Sequence, residues 1–336
     1  MPVVVFVAAF VVVGSAAAHP KHVYRHAYRF EQPKLRHHTL VVLGTPGDDQ
    51  ITLRLKAGNP DVLQVDAGND GSADFSRHIE PIDAIVVDAG AGDDAVRIDD
   101  SNGAFTSTIP TTIAGGDGND ALFGGAGAEL FLGGAGNDRV DGNGGNDIAD
   151  LGAGDDAFVW DPGDGSDTIE GGDGRNDTMI FNGAAANDQV KLSANGSHLT
   201  FFRNPGNITM DTHGVEQVDF NALGGSDLVT VNDLAGTDVA GVRVDLAGAL
   251  GGTSADGQPD RVVVNGTNGD DAFKVDGAAD GVRESATGLG APVEILHADG
   301  GSDSLEINAL DGQDTIDSSG LAPNTIQLLF DGIAIP

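Results

Sequence analysis

Glycine and acidic residues recur with a nine-residue period between positions 115 and 150 of the sequence. Each nonapeptide begins with glycine, and its sixth residue is acidic, at Asp120, Glu129, Asp138 and Asp147. Glycine-rich turns leave backbone carbonyl oxygens without steric cover, and the acidic side chains add charged oxygens. Ca²⁺ is bound in proteins by about six to eight oxygens of these two kinds. The spacing therefore predicts a series of calcium sites.

The repeat G-G-x-G-x-D-x-U-x, in which U is a large apolar residue, is typical of a parallel β-helix. We expect about six residues to form a turn and three to form a short strand, so that two nonapeptides complete one coil. Coils would then stack at about the 4.8 Å spacing of hydrogen-bonded strands. The U positions predict a thin core formed by Leu122, Phe131, Val140, Ala149, Phe158, Ile169 and Met179.

Alternate turns of such a coil lie on opposite sides of the stack. Asp120, Asp138 and Asp156 should line one side, and Glu129, Asp147 and Asp167 the other. A thin core cannot easily offset the entropy lost when a glycine-rich chain becomes ordered. Ions bound between successive turns would remove carboxylate repulsion and hold the coils together.

The repeats read GGDGNDALF, GGAGAELFL, GGAGNDRVD, GNGGNDIAD and LGAGDDAFV. After two extra residues, Trp160 and Asp161, the run closes with PGDGSDTIE and GGDGRNDTMI. Residues 115–180 resemble the RTX family, the haemolysin-type calcium-binding repeats of secreted bacterial proteins. The resemblance implies a parallel β-roll in which several Ca²⁺ ions are bound by the sixth-position Asp and by glycine carbonyls.

The resemblance also implies a set of metal ligands. The side-chain ligands are Asp120, Asp138, Asp147, Asp156, Asp167 and Asp177. The carbonyl positions are Gly116, Gly118, Gly125, Gly127, Gly134 and Gly136, and the polar neighbours included in the sites are Asp117, Asn119, Asn137 and Asp155. Three departures weaken individual sites. Glu129 replaces the sixth-position Asp and follows Ala128, two residues are inserted after Val159, and the repeat that contains Asp177 is one residue longer.

Looser copies of the turn and strand flank the repeats. The chain is accordingly predicted to be all-β, with modules at residues 39–114, 182–255 and 256–336 around a roll at 115–181. Alternation of apolar and polar residues in these flanks indicates strands with one buried face. Their turn acids are candidate further ligands, with ordinary turn residues as the equal alternative: Asp48, Asp49, Asp93, Asp94, Asp227, Asp270, Asp271, Asp303 and Asp314.

Charge and composition exclude several classes of partner. The 336 residues include 52 acidic and 17 basic side chains, for a net charge of −35. A nucleic-acid-binding protein needs a basic surface, so no nucleic-acid partner is expected. The absence of cysteine excludes disulfides and thiolate metal sites.

The first 38 residues differ from the rest. The apolar stretch VVVFVAAFVVVG, followed by Ala16-Ala17-Ala18, predicts a signal peptide at residues 1–18, although Met1-Pro2 lacks the usual basic residue. A retained apolar anchor is the alternative. Residues 19–38 hold five of the nine histidines and predict a basic, disordered arm. We therefore expect a secreted, extracellular protein with no transmembrane span in the mature chain.

No catalytic motif stands out. The sequence contains neither H-E-x-x-H nor G-x-S-x-G, and its glycine runs belong to the repeats. The expected function is non-enzymatic calcium binding with a structural, adhesive or surface-associated role, and with a cell-surface or matrix component as partner. The alternative is a β-helical carbohydrate-active enzyme or lectin that uses Ca²⁺. Such a protein needs an aromatic sugar platform, for which Trp160 is the only tryptophan.

Overall fold

The computed structural model describes residues 30–278 and 281–335, and in this part of the chain all regular structure is β except one 3-10 helix, Asp100–Asn102. The first strands are β1 (Lys34–Arg36), β2 (Thr39–Leu43), β3 (Gln50–Lys56), β4 (Asn59–Ala67), β5 (Phe75–His78), β6 (Ala84–Ala91), β7 (Ala95–Asp99), β8 (Thr111–Asp117), β9 (Ala121–Phe123), β10 (Glu129–Ala135), β11 (Arg139–Asp141), β12 (Ile148–Ala153), β13 (Ala157–Trp160), β14 (Thr168–Gly172) and β15 (Thr178–Asn182).

The remaining strands are β16 (Gln189–Asn195), β17 (His198–Asn204), β18 (Ile208–His213), β19 (Gln217–Asn221), β20 (Leu228–Val231), β21 (Gly241–Asp245), β22 (Arg261–Asn265), β23 (Ala272–Ala278), β24 (Gly281–Thr287), β25 (Val293–Leu296), β26 (Ser304–Asn308), β27 (Thr315–Leu321), β28 (Gln327–Phe330) and β29 (Ile333–Ala334). No helix among the described residues has the length and apolar character that crossing a membrane requires.

The strands form two long sheets. The first, sheet one, has the order β1-β2-β6-β8-β10-β12-β14-β18-β17-β16-β20-β22-β26-β28-β29. The second, sheet two, has the order β27-β23-β24-β25-β21-β19-β15-β13-β11-β9-β7-β3-β4-β5. From β6 to β15 the chain passes alternately from one sheet to the other, and every neighbouring pair in this stretch is parallel. The predicted all-β architecture of stacked parallel coils is confirmed at this level.

The coils have the period predicted from the repeats. Phe131 of β10 lies opposite Ile113 of β8 and Ala149 of β12, one coil of 18 residues away on each side. The strands β9 and β11 have the expected three residues, whereas β8 and β10 continue through the glycine pair. The two extra residues at Trp160 lengthen one coil without interrupting the stack, because Ile169 still pairs with Ala149.

The inward positions form a narrow, continuous core. All seven predicted U residues are at most 1% exposed, Ala149 and Met179 included. They belong to one cluster of buried side chains drawn from both sheets. Trp160 enters this core: its ring stacks on Phe181 with centroids 4.0 Å apart, and its Nε1 donates a hydrogen bond to Gly165 O at 2.8 Å. The inserted residue therefore fills the core and is almost fully buried.

The flanking regions depart from a purely parallel roll. Antiparallel excursions interrupt the coils at β3–β4–β5, β16–β17–β18 and β23–β24–β25. The expectation of parallel coils alone was incomplete here, because short turns fold the chain back on itself. Gly58 and Gly196 supply the positive φ angles of +71° and +69° that two of these turns require. The division into modules at 114, 181 and 255 stays a prediction.

The predicted disordered arm is shorter than expected. Residues 34–36 form β1, which pairs antiparallel with β2, so the prediction of disorder was wrong for these positions. The physical reason is apolar contact: Phe30 stacks on Phe75 with centroids 6.0 Å apart, and Leu35 packs against the core. The predicted signal peptide, and the arm up to residue 29, lie outside the described residues.

Glycines of successive turns stack directly on one another. Gly134 and Gly136 adopt φ angles of +120° and +130°, and a Cβ on either one would overlap the carbonyl oxygen of Gly116 or Gly118 in the preceding coil. Glycine is required at these positions both for the backbone angle and for the close approach of the coils.

We expect Gly134→Ala to lower the free energy of unfolding much more than Gly163→Ala. Gly163 has nearly the same φ, +125°, but nothing lies within 4 Å of its Cβ position. The control therefore carries only the left-handed strain of an L-residue, about 1–2 kcal/mol, whereas Gly134→Ala adds a clash with the next coil. Urea denaturation followed by circular dichroism measures both, and equal losses would contradict the stacking argument.

Candidate metal centre

The acidic residue at the sixth position of each repeat is buried. Asp120, Asp138, Asp147, Asp156, Asp167 and Asp177 are all at most 2% exposed. The carboxylates of Asp120, Asp138, Asp147 and Asp177 take space left by the first glycine of their repeats, whereas the repeats of Asp156 and Asp167 begin with leucine and proline. A Cβ placed on Gly115 would overlap Oδ2 of Asp120, and Gly133 stands in the same relation to Asp138. The first glycine of the repeat is therefore needed because the carboxylate lies where its side chain would be.

The carboxylates form two columns, each connected by hydrogen bonds to the backbone. Column one comprises Asp94, Asp120, Asp138, Asp156 and Asp177, at the turns that lead from sheet one to sheet two. In each, Oδ1 accepts a hydrogen bond of 2.7–2.8 Å from the backbone N–H of the acidic residue one coil earlier, beginning with Asp49 N.

Column two comprises Glu129, Asp147 and Asp167, at the return turns, where the corresponding N–H···Oδ1 distances are 2.7 and 2.8 Å. The predicted separation of the acids into two sets is confirmed by these bonds.

The second carboxylate oxygen has no partner along most of this stack. Oδ2 of Asp147 and of every member of column one, and Oε1 of Glu129, are buried without a hydrogen bond. A buried acceptor without a partner costs about 1–3 kcal/mol, and more when it is charged. A carbonyl oxygen of the next coil lies near some of these atoms: Gly133 O adjoins Asp120 Oδ2, and Leu151 O adjoins Asp138 Oδ2. Oxygens from two coils thus lie close to the same small region.

Burial makes these acids difficult to ionise. Loss of water raises the pKa of Asp94 and Asp138 to about 7, and that of Asp147 to about 9. Neighbouring carboxylates contribute in the same direction, as Asp167 and Glu129 do for Asp147. No basic side chain offsets the effect for these three acids, so a bound cation is the partner that would keep them charged.

Some acids of the flanking regions have hydrogen-bond partners for both carboxylate oxygens. A further column, Asp188, Asp227, Asp260 and Asp303, has the same N–H···Oδ1 bonds at 2.7–3.0 Å. In Asp188 and Asp303, however, Oδ2 accepts a second hydrogen bond from the N–H four residues earlier, at 3.0 and 2.6 Å. Asp271 does the same with Thr267 N at 2.7 Å.

Asp188 also forms a buried ion pair with Arg203, whose Nη2 lies 2.7 Å from Oδ1. Asp188, Asp271 and Asp303 therefore have partners for both carboxylate oxygens.

Burial raises the pKa of Asp227 and Asp260 in the same flanking column to about 7, as it does for Asp138. Outside the columns, both carboxylate oxygens of Glu284 are buried without a partner.

Glu129 behaves differently from its aspartate neighbours. Its side chain is one methylene longer, and its Oε2 reaches Gly125 N, four residues earlier, at 2.7 Å. Gly125 and Gly127 do not adopt the positive φ of Gly116 and Gly134. The segment beneath this turn contains Thr106 and is not another nonapeptide repeat. The Oγ1 of Thr106 accepts a hydrogen bond from Gly127 N at 3.1 Å. Glu129 is therefore the least regular position of the two columns.

The polar residues at the fifth position have a structural task. Asn119, Asn137 and Asp155 are exposed, and each accepts a hydrogen bond on Oδ1 from the backbone of the following coil, at 2.8 Å for Asn137 N and 3.0 Å for Asp155 N. Asp117 is exposed as well. These four predicted site residues lie outside the buried space of the carboxylates, three of them form coil-to-coil hydrogen bonds, and their role as ligands stays a prediction.

The donor set is composed of oxygen atoms. No three His, Cys, Asp or Glu side chains gather around one point in the described residues. A cation between two turns would therefore be held by one or two carboxylates together with backbone carbonyls. The carbonyls of five predicted positions approach the next coil closely: Gly116, Gly118, Gly127, Gly134 and Gly136. The carbonyl of Gly125 is the exception, because it lies 3.9 Å from the Cβ position of Gly144. Oxygen ligands of this kind fit a hard cation such as Ca²⁺.

The sequence analysis missed three members of the columns. Asp188 and Asp260 belong to the flanking column, and Glu216 ends column one by accepting Asp177 N on Oε2 at 2.9 Å. A signal was present for the two aspartates, because each lies two residues before a buried valine, Val190 or Val262. Every aspartate of both columns precedes a buried apolar residue in the same way.

Neither a family model nor a curated protein matches this sequence. Its function is therefore argued from the geometry and charge of the columns.

In the presence of a chelator, we expect the melting temperature to fall by several degrees between pH 5.5 and pH 9. The folded-state pKa values of Asp138 and Asp147 are raised, so the native protein binds more protons than the unfolded chain in this range, and stability decreases as pH rises. Circular dichroism melts in EGTA at a series of pH values measure the slope.

Asp147→Asn should flatten that slope, and Asp117→Asn should leave it unchanged because Asp117 is exposed. A melting temperature that rises with pH over this range would contradict the assigned burial of charge.

Proposed function

We propose that this protein is a secreted calcium-binding protein with RTX, haemolysin-type repeats, whose central coils fold when Ca²⁺ binds. The observation that carries the proposal is the row of buried carboxylates in which one oxygen bonds the neighbouring coil and the other has no partner. The internal comparison supports it, because Asp303 and Asp271 occupy equivalent turns and have both oxygens hydrogen-bonded. Most of the buried unpartnered carboxylate oxygens in the described residues belong to the two columns, and Asp100 and Glu284 are the exceptions.

The chemistry of the donors favours Ca²⁺ over other ions. Carboxylates and backbone carbonyls are hard oxygen ligands, and the turns approach one another too closely for an ion that retains most of its water. Mg²⁺ keeps several waters and requires near-ideal octahedral geometry, whereas Ca²⁺ accepts irregular sets of protein oxygens. Cysteine, which would favour zinc or copper, is absent from the sequence.

Binding and folding are coupled in this proposal. The chain carries a net charge of −35, and a compact central stack without cations must either keep its carboxylates protonated or bear their repulsion. Extracellular calcium modules bind their ion with dissociation constants of about 10⁻⁴–10⁻³ M. Sites of this affinity stay empty where Ca²⁺ is scarce and fill outside the cell, so the coils would close after export. The predicted signal peptide supports this route.

A structural, adhesive or surface-associated role follows from the shape of the site. One oxygen of the carboxylates in the columns joins one coil to the next, which is a structural task. The single tryptophan does not serve the alternative of a sugar-binding platform, because Trp160 is 1% exposed and stacks on Phe181 within the core. The partner proposed is a cell-surface or matrix component, recognised by the calcium-loaded form.

Calcium titration tests the proposal directly. Starting from EGTA, millimolar Ca²⁺ should increase β-sheet circular dichroism, raise the melting temperature by at least 10 °C, and shift the emission of the buried Trp160 to shorter wavelength. The midpoint should lie at about 0.1–1 mM. Mg²⁺ at the same concentration is the control and should have little effect. Identical spectra and melting temperatures in EGTA and in 5 mM Ca²⁺ would refute the proposal.

Two matched substitutions locate the sites. Asp138→Asn keeps Oδ1 for the N–H of Asp120 and removes a buried charge, so in EGTA it should leave stability unchanged or increase it. In Ca²⁺ the same variant should lose part of the stabilisation that the ion provides. Asp303→Asn must place an amide N–H against either Asp260 N or Asp299 N, so it should cost about 1–3 kcal/mol in both conditions.

Urea denaturation with and without Ca²⁺ gives the four free energies. If Asp138→Asn lost the same amount in EGTA as in Ca²⁺, column one would not be a calcium site.

A further inference from the structure

Two histidines face each other across the antiparallel strand pair β17–β18, in the second antiparallel excursion from the roll. Leu199 of β17 lies opposite Thr212 of β18, so His198 and His213, the next residues outward, are direct cross-strand neighbours. Their rings are stacked with centroids 5.1 Å apart and an angle of 29° between the planes. Directly opposed residues have Cβ atoms about 4.5–5.5 Å apart, a distance from which both side chains can reach one ligand.

Carboxylates fix the same tautomer in both rings. Nδ1 of His198 lies 2.9 Å from Asp211 Oδ1, and Nδ1 of His213 lies 3.0 Å from Glu170 Oε2. An ionised carboxylate can only accept a hydrogen bond, so each Nδ1 carries the proton and each Nε2 has a free lone pair. A carboxylate that holds the far nitrogen in this way is the usual companion of a metal-bound histidine, because it orients the ring and increases its basicity.

A third ligand stands beside the pair. Asp238 Oδ2 lies 3.7 Å from Nε2 of His213, and it also accepts a hydrogen bond from Gly214 N at 3.0 Å, which fixes its position. The side chains of His198, His213 and Asp238 are 37%, 43% and 45% exposed, so an ion can reach them from solvent. The described residues do not already place three such side chains around one point. The two imidazoles are therefore the fixed part, and Asp238 and water complete the coordination.

The ligand chemistry differs from that of the carboxylate columns. Imidazole nitrogen suits Zn²⁺, Cu²⁺ and Ni²⁺, whereas Ca²⁺ takes oxygen ligands. We propose that His198 and His213, with Asp238 as third ligand, bind one divalent transition-metal ion of the Zn²⁺ class at this hairpin. The ion would join β17 and β18 to the loop at Asp238. The site does not depend on calcium binding by the columns.

Zinc titration of the full chain in 5 mM Ca²⁺ tests this site, with calorimetry as the readout. His198→Gln and His213→Gln should each remove one equivalent of Zn²⁺ from the binding isotherm or weaken it at least tenfold. His297→Gln is the matched control, because His297 has the same carboxylate partner, Asp245 at 2.7 Å from Nδ1, but no stacked imidazole beside it. It should leave that equivalent unchanged.

The histidines predicted for the N-terminal arm are identical in all these proteins, so their binding cancels in the comparison. Circular dichroism melts in Ca²⁺ show that each variant is folded, and the two single variants provide independent readings. Equal Zn²⁺ stoichiometry and affinity in the wild type, His198→Gln and His213→Gln would overturn the proposal. Loss of zinc binding in His297→Gln to the same extent would overturn it as well. Since none of these residues lies in the columns, either result is separate from the outcome of the calcium titration.

Discussion

A hydrogen bond from the backbone N–H of one coil to the carboxylate of the next is the interaction on which the rest of this structure depends. Five successive bonds of this kind connect Asp49 to Asp177, and three more connect Asp188 to Asp303. To make it, the carboxylate turns inward. At Asp120, Asp138 and Asp147 it occupies space left by glycine five residues earlier, and the residue two positions later is apolar and lies in the core. Much of the composition of the repeat thus follows from this one bond.

The bond uses only one oxygen of each carboxylate. The other oxygen has a hydrogen-bond partner in some acids and none in others. At Asp303 a local N–H, and at Asp188 a local N–H together with Arg203, complete the acid. At Asp138 and Asp147 the second oxygen is buried without a partner, and desolvation raises the pKa of both acids. Burial also raises the pKa of Asp227 and Asp260 in the flanking column, so the same hydrogen bond is compatible with both paired and unpaired second oxygens.

Periodic features were predictable from the sequence and local exceptions were not. The inward residues and the two sets of acids followed from a strict period, because a coil that repeats in sequence must repeat in space. The hairpin with the two-residue loop Gly196-Ser197 was missed, although glycine at the first loop position is a turn signal. Whether Oδ2 finds an N–H depends on the backbone path of the turn: Thr267 donates to Asp271, whereas Asp120 Oδ2 has no donor. Composition does not distinguish these two paths.

The two kinds of coil-to-coil bond run in opposite directions. A sixth-position acid accepts from the coil before it, whereas Asn119 and Asn137 accept from the coil after them. Each inner coil therefore donates hydrogen bonds to both neighbouring coils and accepts hydrogen bonds from both. If one whole inner coil were duplicated or deleted, these hydrogen bonds would re-form across the junction. Insertion or deletion of a single nonapeptide would instead move each following strand to the opposite sheet, and turns of the Glu129 type would then stack on turns of the Asp120 type. The unit by which such a protein can change its length is the whole coil of two repeats.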